Sequence, residues 1–96
     1  VGMRLIGHRL LQEYALRHVD LRQSLADWIR ETSAVHWHSP QAIKDRYATA
    51  SFLAGSLVIF NLKGKRYRLA VRVDYAQGIA SVEWIGTHAE YNRHRF

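Results

Sequence analysis

Cysteine is absent from this chain of 96 residues, and proline occurs once, at Pro40. Without cysteine there is no disulfide framework, no thiolate nucleophile and no cysteine-based zinc site. Acidic side chains are scarce: eight stand against fourteen lysines and arginines, leaving a formal charge of +6 that points to a polyanionic partner. No apolar run approaches the roughly 18 residues a bilayer span requires, and the opening residues lead one to expect no signal peptide. A cytoplasmic setting with no membrane role is therefore expected. Glycine-rich phosphate loops, G-x-S-x-G turns and H-E-x-x-H motifs are missing too, as are internal repeats and low-complexity stretches. What is present is a 48% hydrophobic chain, too apolar for a disordered basic tail. Its length suits one domain with a single thin core. Val1-Gly2 precede Met3 and read as a cloning remnant, so the domain is expected over residues 3–96.

The first half reads as helical. Met3–Ile6 allows a short strand, and His8–His18 follows with Leu10, Leu11, Tyr14 and Ala15 at helical spacing. Asp20 with Gln23 three residues on has the pattern of a capping box, opening a helix whose stripe is Leu21, Leu25, Trp28, Ile29 and Thr32. Ser39-Pro40 offers an N-cap and a first-turn proline for a third helix running to about Tyr47. From Leu57 the period changes to two. Three antiparallel strands are expected, joined by tight turns at Gly64-Lys65 and Gln77-Gly78. The first turn pairs Leu62 with Tyr67, Asn61 with Arg68 and Phe60 with Leu69, and sets Lys63 opposite Arg66. The second pairs Arg72 with Glu83, Val71 with Trp84 and Arg68 with Thr87. Helices should cover the Val/Phe/Leu/Tyr/Trp face of an α+β fold. The other face should carry Asn61, Arg68 and Thr87 in a row.

The charge gathers on that other face. Lys63, Lys65, Arg66, Arg68 and Arg72 fall between Asn61 and Arg72 with no acid among them. Lys63 opposite Arg66 is a repulsive cross-strand pair that a bound anion would offset. Arg72 is expected to pair with Glu83. In Ile85-Gly86-Thr87-His88-Ala89-Glu90-Tyr91-Asn92, a strand gives way to a turn of helix. There His88 supplies a group that exchanges protons near neutrality, and Tyr91 shares its face. Glu90 reads as a cap or an arginine partner. His36-Trp37-His38 has a metal-ligand spacing but no third ligand, so neither a metal nor another cofactor is expected. Trp28 and Trp84 read as core, and Trp37 as a loop anchor or a partly exposed ring able to stack a base.

The run Phe60-Asn61-Leu62-Lys63-Gly64-Lys65-Arg66-Tyr67-Arg68-Leu69, followed by Ile85-Gly86-Thr87-His88-Ala89-Glu90-Tyr91, resembles the HigB family of bacterial toxins in the RelE-like superfamily of type II toxin–antitoxin systems. The resemblance spans Met3–Phe96, includes Phe52-Leu53, and is most specific over residues 57–92. One departure is Asn92, where the family usually has Asp after Glu-Tyr. The resemblance implies a RelE-like fold: N-terminal helices on one face of a small antiparallel sheet, with a C-terminal helix, expected to be short because the chain ends at Phe96. It further implies an endoribonuclease acting on mRNA, in many members only on the ribosome, and a helix-turn-helix antitoxin of the HigA type. Metal-independent attack of a ribose 2′-oxygen on the adjacent phosphate is the implied chemistry. Arg68 is then the phosphate clamp, His88 the acid/base group and Tyr91 an orienting or stacking ring. Asn61, Lys63, Lys65 and Arg66 are the RNA-binding residues. A non-catalytic nucleic-acid-binding module and a catalytically degenerate toxin are the alternatives.

Overall fold

The computed structural model describes residues 2–96, so Val1 of the expected remnant lies outside the described residues. A short strand, β1 (Arg4–Ile6), leads into helix α1 (His8–Arg17). A 3₁₀ turn at Val19–Leu21 connects α1 to α2 (Arg22–Ala34). Helix α3 (Pro40–Arg46) starts as its sequence suggests, with the Ser39 hydroxyl accepting from the Ala42 N–H. Strands β2 (Ser51–Leu53), β3 (Leu57–Leu62), β4 (Tyr67–Asp74) and β5 (Ile79–Thr87) follow, and α4 (His88–Arg93) comes last. Among the described residues, no helix is long and apolar enough to cross a membrane.

The fold is α+β, but the sheet is wider than the three antiparallel strands expected. Its order is β1-β5-β4-β3-β2, with β1 parallel to β5 and the other pairs antiparallel. The strand allowed at Met3–Ile6 forms as β1 and joins this sheet, and the one unexpected strand, β2, has three residues, too short to show a period of its own. The β3–β4 pairing agrees with expectation, including Asn61 opposite Arg68. The β4–β5 pairing does not. Its loop has four residues, because Asp74 Oδ1 accepts from Gln77 N and Gly78 N reaches back to Asp74 O, with Gly78 left-handed at φ 71°. Asp74 therefore pairs with Ile79, and Arg72 lies opposite Ser81 rather than Glu83. The register shifts again between Ala70 and Val71, where Glu83 is the extra residue, leaving Arg68 opposite Gly86 and Tyr67 opposite Thr87.

That bulge reverses the alternation of β5. Ala80 and Val82 face the helices before it and Ile85 after it, while Trp84 points to the other face with Leu57, Ile59, Ala70 and Tyr91. Trp84 thus leaves the helix-covered core assigned to it. The Asp20–Gln23 capping box is also not formed. Asp20 lies in the 3₁₀ turn, and its carboxylate accepts from the Tyr67 hydroxyl at 2.7 Å and from Arg66 at 3.1 Å. Leu10, placed in the α1 stripe, is exposed, while Leu11 and Tyr14 point inward.

The main core lies between the helices and the inner face of β3 and β4. At its centre Phe60, 1% exposed, has Tyr47, Trp28 and Trp37 around it at ring-centroid distances of 5.1, 5.4 and 5.8 Å. Trp37 is therefore a buried anchor. Phe60→Ala removes the hub of this cluster and should destabilise the protein by about 3–5 kcal/mol in denaturant unfolding. A loss below about 1 kcal/mol would contradict this packing.

Candidate functional site

Arg68 is the second residue of β4, the central strand of the sheet, and projects from the face away from α1–α3. Gly86 lies directly across from it. A Cβ at Gly86 would come within 2.5 Å of the Trp84 ring and 2.9 Å of Glu90 Oε1, so glycine lets α4 close down on the strand. The chain turns from β5 into α4 at Thr87, through a reciprocal capping box. Thr87 Oγ1 accepts from Glu90 N at 3.1 Å, and Glu90 Oε1 accepts from Thr87 N at 2.7 Å. Glu90 thus acts as a cap, and Oε1 also accepts from the Tyr14 hydroxyl of α1 at 3.2 Å. The Thr87 N–H bond is the main cause that holds the Glu90 carboxyl below its ordinary range. Burial, then the negative charge of Glu90, push the Tyr14 hydroxyl up, so it stays a donor.

This cap places His88 at the first turn of α4, against the β3–β4 turn. His88 N donates to Arg66 O at 2.8 Å, and His88 Nδ1 lies 3.2 Å from Lys65 O. Arg68 completes the cluster. Its Nη2 is 3.0 Å from His88 Nδ1, its Nη1 donates to Lys65 O at 2.9 Å, and its Cζ sits 5.7 Å from the Tyr91 ring centre. Arg68, His88 and Tyr91 are therefore one contact group, although 20 residues separate the first two. With Nδ1 occupied, the other nitrogen of His88, Nε2, is left for a substrate.

Lys63, Lys65 and Arg66 occupy the adjoining turn, but not equivalently. Lys63 is left-handed at φ 52° and the strand ladder ends at Leu62–Tyr67. The Arg66 guanidinium turns to Asp20 at 3.1 Å. The repulsion expected between Lys63 and Arg66 is thus met by an acid from the helical layer and needs no bound anion. Asn61, though paired with Arg68, gives its amide to Thr49 O at 3.1 Å. Arg72 forms the expected pair with Glu83, at 2.7 and 3.1 Å, made from the bulge instead of direct opposition. His36 and His38 stack at 4.2 Å, and among the described residues no three metal-ligating side chains converge. Two contributors were not anticipated. The Lys65 carbonyl carries no sequence signal because it is backbone, and the Tyr14–Glu90 bond joins residues 76 positions apart.

Residues 21–94 match a family model described as HigB_toxin, the RelE-like toxic component of a toxin–antitoxin system. A search of curated proteins found no match.

Two outcomes follow from the supports of the cluster. Glu90→Ala deletes half the capping box and the Tyr14 partner, and should cost on the order of 1 kcal/mol of stability. It should also move and broaden the His88 ring signals in NMR spectra, and signals unchanged in shift and width would contradict its positioning by the cap. The second concerns acid. The Tyr67 hydroxyl and then Arg66 hold Asp20 low, Arg72 holds Glu83 low, and the α4 cap holds Glu90 low. Carboxyls depressed in the folded state stabilise it above the unfolded value of about 4, and that contribution disappears as pH falls through the folded values. Asp20→Asn should therefore lie below wild type in stability at neutral pH and converge on it in acid. A gap that stays constant to pH ~2 would contradict the Asp20 assignment.

Proposed function

The chain belongs to the HigB toxin family, RelE-like toxic components of toxin–antitoxin systems, and from that premise we propose that it is an endoribonuclease. Its substrate is mRNA, engaged on the ribosome, and a helix-turn-helix antitoxin of the HigA type neutralises it. The observation that carries this reading is the 3.0 Å contact between Arg68 Nη2 and His88 Nδ1, which joins a phosphate-binding group to a proton-transfer group on an exposed face.

The reaction proposed is internal transesterification. Arg68 leaves its resting contact with Nδ1 and takes two phosphate oxygens, a geometry that suits its planar fork. Once Arg68 has left, the His88 proton moves through solvent from Nε2 to Nδ1, where it is donated to the Lys65 carbonyl; this orients the ring and makes Nε2 the acceptor. Nε2 takes the proton from a ribose 2′-hydroxyl, and the 2′-oxygen attacks phosphorus. The bond from phosphorus to the 5′-oxygen breaks, leaving a 2′,3′-cyclic phosphate. The departing oxygen is on the opposite side of phosphorus from His88 and takes its proton from solvent. Arg68 balances the extra negative charge as it builds. Lys63 and Lys65, both exposed on the turn, hold the flanking phosphates, with Arg66 and Asn61 at the edges of the track. Tyr91 supports the guanidinium from beneath and offers a ring to an adjoining base.

Expression of the wild-type protein should arrest bacterial growth and fragment mRNA. Arg68→Ala and His88→Ala, verified as folded, should each lower cleavage, the histidine change by about 10²–10⁴-fold. Wild-type cleavage by both variants would overturn the assignment. Tight RNA binding without cleavage or growth arrest would favour a non-catalytic module.

A further inference from the structure

The bulge in β5 has a consequence on the site face. Regular alternation would bury Trp84 beneath the helices, but the extra residue at Glu83 rotates it outward, where it joins Tyr91. Bulges recur beside functional sites because they re-aim one side chain. Here the re-aimed side chain extends an aromatic strip that starts at the proposed phosphate clamp. Arg68 lies over Tyr91 at 5.7 Å, and the Tyr91 ring is 6.1 Å from Trp84. The Trp84 ring in turn stacks on His94 at 4.9 Å and meets Phe96 edge-on at 5.9 Å. Phe96 is 52% exposed. At the far end of the strip, Leu57, Trp84, His94 and Phe96 bound a recess of about 390 Å³, with the Arg72–Glu83 pair and Arg95 also along its lining.

We propose that this recess is a nucleobase subsite, occupied by the base of a nucleotide close to the one whose phosphate Arg68 holds, and that it gives cleavage its sequence preference. The inference rests on the reading of the protein as an RNA-cutting toxin. Three features select a base as the occupant. The strip is continuous with the phosphate-binding group, so a chain anchored at Arg68 is already directed along it. Its walls are aromatic or aliphatic, and single-stranded RNA is recognised by stacking splayed bases on such rings. The rim is polar, with Glu83 to accept from a base edge and Arg95 to meet the next phosphate, and Arg95 has no carboxylate partner among the described residues. The recess is also within the size range of small-ligand pockets.

The test uses short single-stranded RNAs with 2′-O-methyl ribose throughout, which blocks attack by the 2′-oxygen, and an abasic residue placed at each position in turn. Binding is measured for wild type, Phe96→Ala and Phe96→Trp. For wild type, one abasic position should weaken binding about tenfold, the worth of one base stacked on an aromatic ring. Phe96→Ala should bind the unmodified RNA about tenfold more weakly, show no further loss at that position, and recover with Phe96→Trp. Superimposable abasic profiles for wild type and Phe96→Ala, with binding still sensitive to Arg68→Ala, would overturn the subsite and leave the proposed function standing. Failure of the wild type to bind these RNAs both free and as the mRNA of a programmed ribosome would overturn both. Weakened binding of a co-purified antitoxin by Phe96→Ala, with the RNA profile unchanged, would assign the recess to protein docking and overturn the proposal.

Discussion

The hydrogen bond from His88 N to Arg66 O, at 2.8 Å, fastens the start of α4 to the β3–β4 turn. The rest of the site depends on that latch. It brings the His88 ring to the Lys65 carbonyl, which accepts from Arg68 as well, so one exposed turn orients both a cation and an imidazole. The latch is set from both sides. The Thr87–Glu90 capping box fixes where α4 starts, and Asp20 pulls Arg66 against the helical layer. The role proposed for His88 requires its ring to be held within a fraction of an ångström of its working position, and two independent supports bear on that position here.

Ion pairing decides which of the basic residues remain available. Arg30, Arg46, Arg66 and Arg72 each have a carboxylate, from Asp27, Glu31, Asp20 and Glu83 respectively. These exposed pairs contribute little to stability. Their effect is spatial. They offset positive charge at four positions, one of them Arg66 in the turn itself, while Lys63, Lys65 and Arg68, beside His88, are among the basic residues with no carboxylate partner among the described residues. A net charge that by itself suggested only a polyanionic partner thus has a local component beside the proposed proton-transfer group.

Where the residues carried a local signal, the sequence was a good guide. Ser39-Pro40 showed the start of α3, and the alternation of Val58, Phe60 and Leu62 against Tyr67 and Leu69 fixed the first hairpin and hence the position of Arg68. The closeness of Arg68 and His88 was also legible, although the pairing used to infer it, Arg68 with Thr87, is displaced by one residue. What was hidden depended on backbone geometry or on distance along the chain. An aspartate side chain lengthened the second turn, and a bulge moved Trp84 to the opposite face. The parallel pairing of β1 with β5 joins strands more than seventy residues apart. Asp20 misled because its local pattern fits a cap while Tyr67 and Arg66, distant in sequence, supply stronger partners.

The central claim is that Arg68 and His88 act together on a phosphate next to a ribose 2′-hydroxyl. The ends left on cut mRNA test this most directly, because 2′-oxygen attack has one outcome. Fragments from cells expressing the toxin should carry a 2′,3′-cyclic phosphate, or the monophosphate from its opening, on the upstream piece and a free 5′-hydroxyl on the downstream piece. Fragments with a 3′-hydroxyl and a 5′-phosphate would require attack by water and would contradict the mechanism.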